Sequence, residues 1–187
     1  VFTPPERMEK RTVTPRPERV TVDRERVVLE RGGKRHSLGL PIHYPDGIVG
    51  SVLQTVTFFV VFDFFFYWWH RIRHMSGFWL VFHQLHHSPA RIEAITSFYK
   101  HPVEILADSA LAAVILYLLL GTSLDGALWF NCFAATGEFF YHSNFRSPRW
   151  LKYIIQTPEL HSVHHALDVH KYNFADLPLW DRLFGTY

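Results

Sequence analysis

Eleven of the thirteen histidines fall after residue 69, and eight of these form three compact clusters: His70 and His74 in HRIRH, His83, His86 and His87 in HQLHH, and His161, His164 and His165 in HSVHH. On a helix, positions i, i+3 and i+4 share a face, so each cluster aims its imidazoles one way and forms a partial ligand set. Imidazole suits iron, zinc, copper and nickel, and one structural zinc takes about four ligands, so eight converging histidines exceed the need of a single ion. Two metal ions are the economical reading.

The same residues exclude several other chemistries. HQLHH and HSVHH lack the glutamate of a zincin HExxH, and no ExxH occurs for a ferritin-like carboxylate site. There is no GxSxG elbow and no glycine loop for phosphate. Cys132, the single cysteine, can neither close an intramolecular disulfide nor supply a multi-thiolate site. A net charge of +2, from 19 Lys+Arg against 17 Asp+Glu, is too weak and too mixed for a nucleic-acid footprint.

The elements that must position the histidines are apolar. The chain has 187 residues, a length for one domain, with 48% apolar and 17% aromatic residues, but residues 1–46 carry ten Lys/Arg and seven Asp/Glu. That stretch reads as a polar leader, either disordered or holding a short hairpin about Gly32-Gly33, and residues 47–187 read as a membrane domain. Ile48 to Trp69 is 22 residues with only Gln54 and Asp63 strongly polar, about 33 Å of helix and long enough to span a bilayer. Val103 to Phe145 is a second greasy region, broken by GTSLDG at Gly121 to Gly126, and reads as a membrane helical hairpin with a buried soluble hairpin as the alternative. Trp68, Trp69, Trp79, Trp129 and Trp150 near segment ends favour a membrane interface.

Two crossings return the chain to the side it left, so all three histidine clusters share one face. Arg71, Arg73, Arg91, Lys100, Arg146, Arg149 and Lys152 lie there too, which the positive-inside tendency makes cytoplasmic. The basic leader then lies opposite, a conflict that a missing upstream span or a re-entrant first segment would resolve. Val1 is not an initiator Met and no signal peptide follows it, which leaves upstream helices an open question.

The motifs HxxxH, HxxHH and HxxHH, in that order, resemble those of the fatty acid hydroxylase/sterol desaturase superfamily of membrane-bound, histidine-rich di-iron oxygenases. The resemblance runs from about Asp63 to Tyr187 through DFFFYWWHRIRH, FHQLHHSP, KHPVE, YHSN, TPELHSVHH and LWDRLFGTY. It implies an all-α integral membrane helical bundle with a cytoplasmic histidine-rich di-metal cap. It further implies two iron ions, which zinc can replace in purified protein, and O2 as co-substrate for hydroxylating or desaturating a lipid C–H bond. Electrons would come from a separate donor such as a cytochrome b5-like or ferredoxin-type protein. By motif position it makes His70, His74, His83, His86, His87, His161, His164 and His165 the expected ligands and catalytic set, with His142 of YHSN as a ninth metal ligand. The family's NYG-like segment reads Tyr172-Asn173-Phe174-Ala175 here.

Several neighbours have open roles. Glu138, four residues before His142, is placed to enter the ligand set or to orient a ligand. Asp63 is placed either to support a ligand histidine or to pair with Arg71 or Arg73. His101 is a ligand, a supporting group or a helix-end residue, and His170 is a weaker candidate. Phe78, Trp79, Phe82, Phe98, Tyr99 and Phe145 either line an acyl or sterol channel or simply pack. The rival functions are a metal transporter, with histidines inside the spans, a bis-His haem electron-transfer protein, with one histidine per facing helix, and a non-catalytic metal-binding homologue.

Overall fold

In a computed structural model, the described residues are 19–22, 27–31, 34–37, 39, 40, 42, 44, 45 and 47–187. Three short strands, β1 (Arg19–Val22), β2 (Val27–Arg31) and β3 (Lys34–Ser37), form an antiparallel sheet in the order β1-β2-β3. Arg31 pairs with Lys34, and Gly32 and Gly33 between them lie outside the described residues. This sheet is the exception to an otherwise helical chain and corrects the all-α expectation to that extent.

The long apolar run forms α1 (Ile48–Arg73), 26 residues without an interior proline, ending at the C-cap His74 with Arg71 and Arg73 in the last turn, where cations complement the helix dipole. Next comes α2, three contiguous stretches (Ser76–Phe78, Trp79–His83 and Gln84–His86) of which Trp79–His83 is wound in wider π turns. A short 3₁₀ turn at Ala94–Phe98 leads to α3, which is α-helical over Pro102–Ala113 and π-wound over Val114–Leu119. It stops at Gly121, whose φ of 66° lies in the left-handed region that glycine adopts without a Cβ penalty. Ser123 then accepts from the Gly126 amide and starts α4 (Leu124–Tyr141). Thr157 caps α5 (Pro158–His164), and α6 (Pro178–Leu183) closes the chain.

The helices α1, α3 and α4 pack about Phe62, Ile115, Leu116, Leu120 and Ala127, with Phe62 stacked on Phe66 at 4.3 Å and tilted against Phe130 at 4.6 Å. A second cluster of Tyr67, Phe174 and Ala175, joined by Trp180 and Phe184, fastens the C-terminal segment to α1. The outer faces stay apolar and exposed, as at Val52, Leu53 and Val56 on α1 and Leu106, Val114 and Leu118 on α3. Two helical spans, Ile48–Arg73 and Pro102–Leu119, are long and apolar enough to cross a membrane, and little of either is covered by the rest of the chain. The arm α4, with Asn131 and Glu138 in its sequence, does not reach that standard, so only one arm of the expected hairpin qualifies.

Candidate metal centre

The nine histidines His70, His74, His83, His86, His87, His142, His161, His164 and His165 converge and divide into two groups. His70, His74, His83, His87 and His164 form one, and His86, His142, His161 and His165 the other, with the ligand atoms of each group within 4.8 Å of one another. Either spacing suits one ion.

Helix periodicity accounts for the division. In HRIRH the i,i+4 pair His70/His74 stays together, as do His83/His87 in HQLHH and His161/His165 in HSVHH. The middle histidines cross over, His86 joining the second pair's partners and His164 the first group, so each HxxHH bridges both. At about 100° per residue, i+3 and i+4 flank position i on opposite sides, which is what lets one turn serve two centres.

Four of the nine occupy helix C-caps: His74 after α1, His87 after α2, His142 after α4 and His165 after α5. The carbonyls at these ends carry partial negative charge, a favourable setting for cations.

The outer nitrogens are held so that the inner ones stay bare. His70 Nδ1 donates to the Phe174 carbonyl (2.7 Å), His164 Nδ1 to the Tyr172 carbonyl (2.7 Å) and His142 Nδ1 to the Glu138 carbonyl (2.8 Å). A carbonyl only accepts, so Nε2 of each ring carries the lone pair. Nε2 of His70 and of His164, and both ring nitrogens of His87, are buried with no hydrogen-bond partner. His142 Nε2 faces His161 Nε2 at 3.0 Å and His86 Nε2 at 3.3 Å, three ring nitrogens converging as ligands of one cation would. These orphaned nitrogens fit a pair of imidazole-bound metal ions.

Burial keeps the rings neutral. Desolvation draws His142 down to about 4, even though the Glu138 carbonyl opposes the shift, and draws His164 down to about 3. Desolvation followed by repulsion from neighbouring imidazoles lowers His74, His87 and His161. All are therefore free to ligate at neutral pH.

The carbonyls of residues 172 and 174 are themselves anchored by two buried carboxylates. Asp181 accepts from the Phe174 and Ala175 amides (2.9 Å each), and Asp63 accepts from the Asp176 (2.9 Å) and Leu177 (2.8 Å) amides. Thr186 Oγ1 donates to Asp181 (2.7 Å) and lies 3.0 Å from the Tyr67 hydroxyl. Asn173 takes φ 55°, which asparagine tolerates better than most residues, and the turn there exposes the carbonyls on either side. Asp63 thus neither touches a histidine nor pairs with Arg71 or Arg73; it acts through the loop.

Other expectations resolve similarly. The Glu138 carboxylate pairs with Lys100 (2.7 Å) and belongs to neither histidine group; only its backbone oxygen holds His142. His101 accepts from the Val103 amide as the N-cap of α3 and lies outside both groups. His170 Nδ1 sits 2.9 Å from His74 Nδ1 while its ring stacks on Trp79 at 4.1 Å and 5°. Glu104 and Arg73 carry no signal as a pair in the sequence beyond the KHPVE segment, yet Glu104 Oε1 lies 2.6 Å from His83 Nδ1 and 2.7 Å from Arg73.

A cavity of about 240 Å³ borders both groups. Its lining includes the imidazoles of His70, His83, His86, His142 and His161, the apolar side chains of Phe62, Phe66, Ala112, Ala134 and Ala135, and the charged Lys100, Asp108 and Glu138. None of the six aromatics considered for a channel lines it.

Residues 55–186 match the fatty acid hydroxylase family. Curated relatives include sphinganine C4-monooxygenase 1 of Arabidopsis thaliana, 31% identical over 72% of this chain and 54% of its own. An ornithine lipid hydroxylase, OlsE, of Rhizobium tropici is 34% identical over 81% of this chain and 45% of its own. The very-long-chain aldehyde decarbonylase GL1-9 of Oryza sativa subsp. indica is 30% identical over 75% and 56%. The chain spans about half the length of these relatives. No solved structure matches. With most of its length matched, its histidine clusters intact and its relatives devoted to lipids, the chain belongs to the fatty acid hydroxylase family.

Proposed function

We propose that the protein is a multi-pass membrane oxygenase that hydroxylates a lipid C–H bond, or desaturates it, at a pair of iron ions. The observation that supports this most is one cavity lined both by histidines of the two groups and by apolar side chains of α1, α3 and α4. His70, His74, His83, His87 and His164 would hold one ion and His86, His142, His161 and His165 the other. Iron held there would supply reductive activation of O2, the oxidant that an unactivated C–H bond requires because no side-chain base can remove its hydrogen as a proton.

The chain's own groups do the positioning. The Phe174, Tyr172 and Glu138 carbonyls aim three imidazoles inward. Phe62, Phe66 and the alanines exclude water from the reacting carbon. At about 240 Å³ the cavity is below the range that encloses a drug-sized ligand, so it takes the reacting part of a lipid while the rest lies among the helices. The Lys100–Glu138 pair on its wall suits a lipid with a hydroxyl or amino group a few bonds from that carbon, a pattern in keeping with the sphinganine and ornithine-lipid enzymes among the relatives. Arg71, Arg91, Arg146 and Lys152 favour a cytoplasmic position for the centre, where a cytochrome b5-like or ferredoxin-type donor would reach it.

The test is metal content and absorption of detergent-purified protein beside the variant H83A/H86A/H87A, followed by mass spectrometry of lipids from cells expressing each. About two irons per chain, lost in the variant, and an added oxygen or lost hydrogen pair in a lipid only with the wild type, is the expected result. A haem band, or metal retained by the variant, overturns the reading.

A further inference from the structure

The KHPVE segment is left over by the ligand set. His101 turns back to cap α3 and Pro102 occupies its first turn, where the missing amide hydrogen costs nothing. That start places Glu104 in the first turn, fully buried at 0% exposure, against α1 and α2. Its Oε1 is shared by His83 Nδ1 at 2.6 Å and Arg73 at 2.7 Å. Arg73 has a second acid, Asp108, at 3.2 Å, whereas the Glu104 carboxylate is the acceptor that the structure gives His83 Nδ1. A counter-ion for Arg73 alone would not need to sit on the histidine.

Resting on the reading that each histidine group holds an ion, we propose that Glu104 is a positioning residue for the five-histidine centre and makes the two centres inequivalent. By accepting from Nδ1 it keeps His83 in the tautomer that presents Nε2 inward, where it meets His74 Nε2 at 3.0 Å. A carboxylate behind an imidazole also raises the electron-donating power of the ring toward a metal. Arg73 holds that carboxylate in place and moderates its pull. The four-histidine group has no such carboxylate among the described residues: His142 is backed by a neutral carbonyl, and Nδ1 of His86 and of His161 has no partner.

The test loads the full chain in detergent with cobalt(II) and reads stoichiometry, affinity and the visible ligand-field spectrum of wild type, E104A, E104Q and R73M. Expected is a loss of about 10- to 100-fold in affinity for one of two ions in E104A with the other unchanged, a smaller loss in the isosteric E104Q, and both ions retained in R73M with a shifted band. Should E104A fail to fold, E104Q carries the comparison. Wild-type affinity and spectrum in E104Q, or equal effects of E104Q and R73M on melting with none on metal, overturn the proposal and leave Glu104 as a counter-ion. Wild-type protein that binds no cobalt overturns the two-metal reading itself, an outcome visible before any variant is examined.

Discussion

The two histidine groups are built differently. The four-histidine group takes His86 from α2, but its other supports are local: His161 lies a turn before the C-cap His165 of α5, and His142 is backed by the carbonyl one turn earlier on its own helix. The five-histidine group draws on the whole chain. His70 and His164 are held by a loop that Asp63, 113 residues from its partner Asp176, and Asp181 fasten, and His83 by Glu104 from α3. Both groups contain i,i+4 pairs and both join separate helices, but the hydrogen bonds behind the five-histidine group span the longer stretches of chain, so damage far from the histidines should fall on that side first.

The largest effect is expected at Asp181. D181A leaves two buried amides and a hydroxyl without their acceptor, a cost of about 3 kcal/mol or more. A lower melting temperature in detergent, with loss of one metal before the other, is the expected result; simultaneous loss would erase the proposed contrast. D63N, which still offers one oxygen to the Asp176–Leu177 turn, should act in the same direction but less.

Acid should act on the metal-free protein through both groups. His142 and His164 titrate in the fold near 4 and 3, below the ordinary 6.5. The unfolded chain therefore binds protons that the fold does not, so stability is full above about pH 6.5 and falls as pH drops toward 4. Melting temperature should decline below about pH 6.5, the lowered histidines outweighing Asp176, which burial pushes up to about 6 and which works in the opposite sense; a decline that is unchanged in H142Q/H164Q would contradict the neutral cluster.

Smaller effects sharpen the contrast. H170A removes the partner of His74 Nδ1 and should weaken the five-histidine ion by less than about 10-fold, at the low end for a supporting residue. E138Q should leave metal content unchanged, because only the backbone oxygen of residue 138 reaches His142. Its effect is expected on lipid turnover, through the Lys100 pair on the cavity wall, and metal loss in E138Q would place the carboxylate back at the centre.

Much of the centre was legible because helix geometry is short-ranged. The spacings of HRIRH, HQLHH and HSVHH put imidazoles on common faces, and the apolar run before His70 requires a long helix. Glu138 and Asp63 were noticed as acids near histidines, yet their partners were not, since a carboxylate's partner depends on which element packs beside it. Glu104 lies at the start of an apolar segment with no partner in its own sequence neighbourhood, and its burial against His83 follows only from the packing of α2 against α3.

By itself, then, the chain's order of residues determined the nine histidines, the faces they share, the two long apolar helices and the family. Tertiary structure alone decided that His86 and His164 change sides, that residues 172 and 174 serve through their carbonyls, and that Asp63, Asp181 and Glu104 stand behind the histidines. The reason is that backbone carbonyls carry no side-chain signature, and a hydrogen bond between residues about a hundred positions apart exists only once packing has brought them within 3 Å.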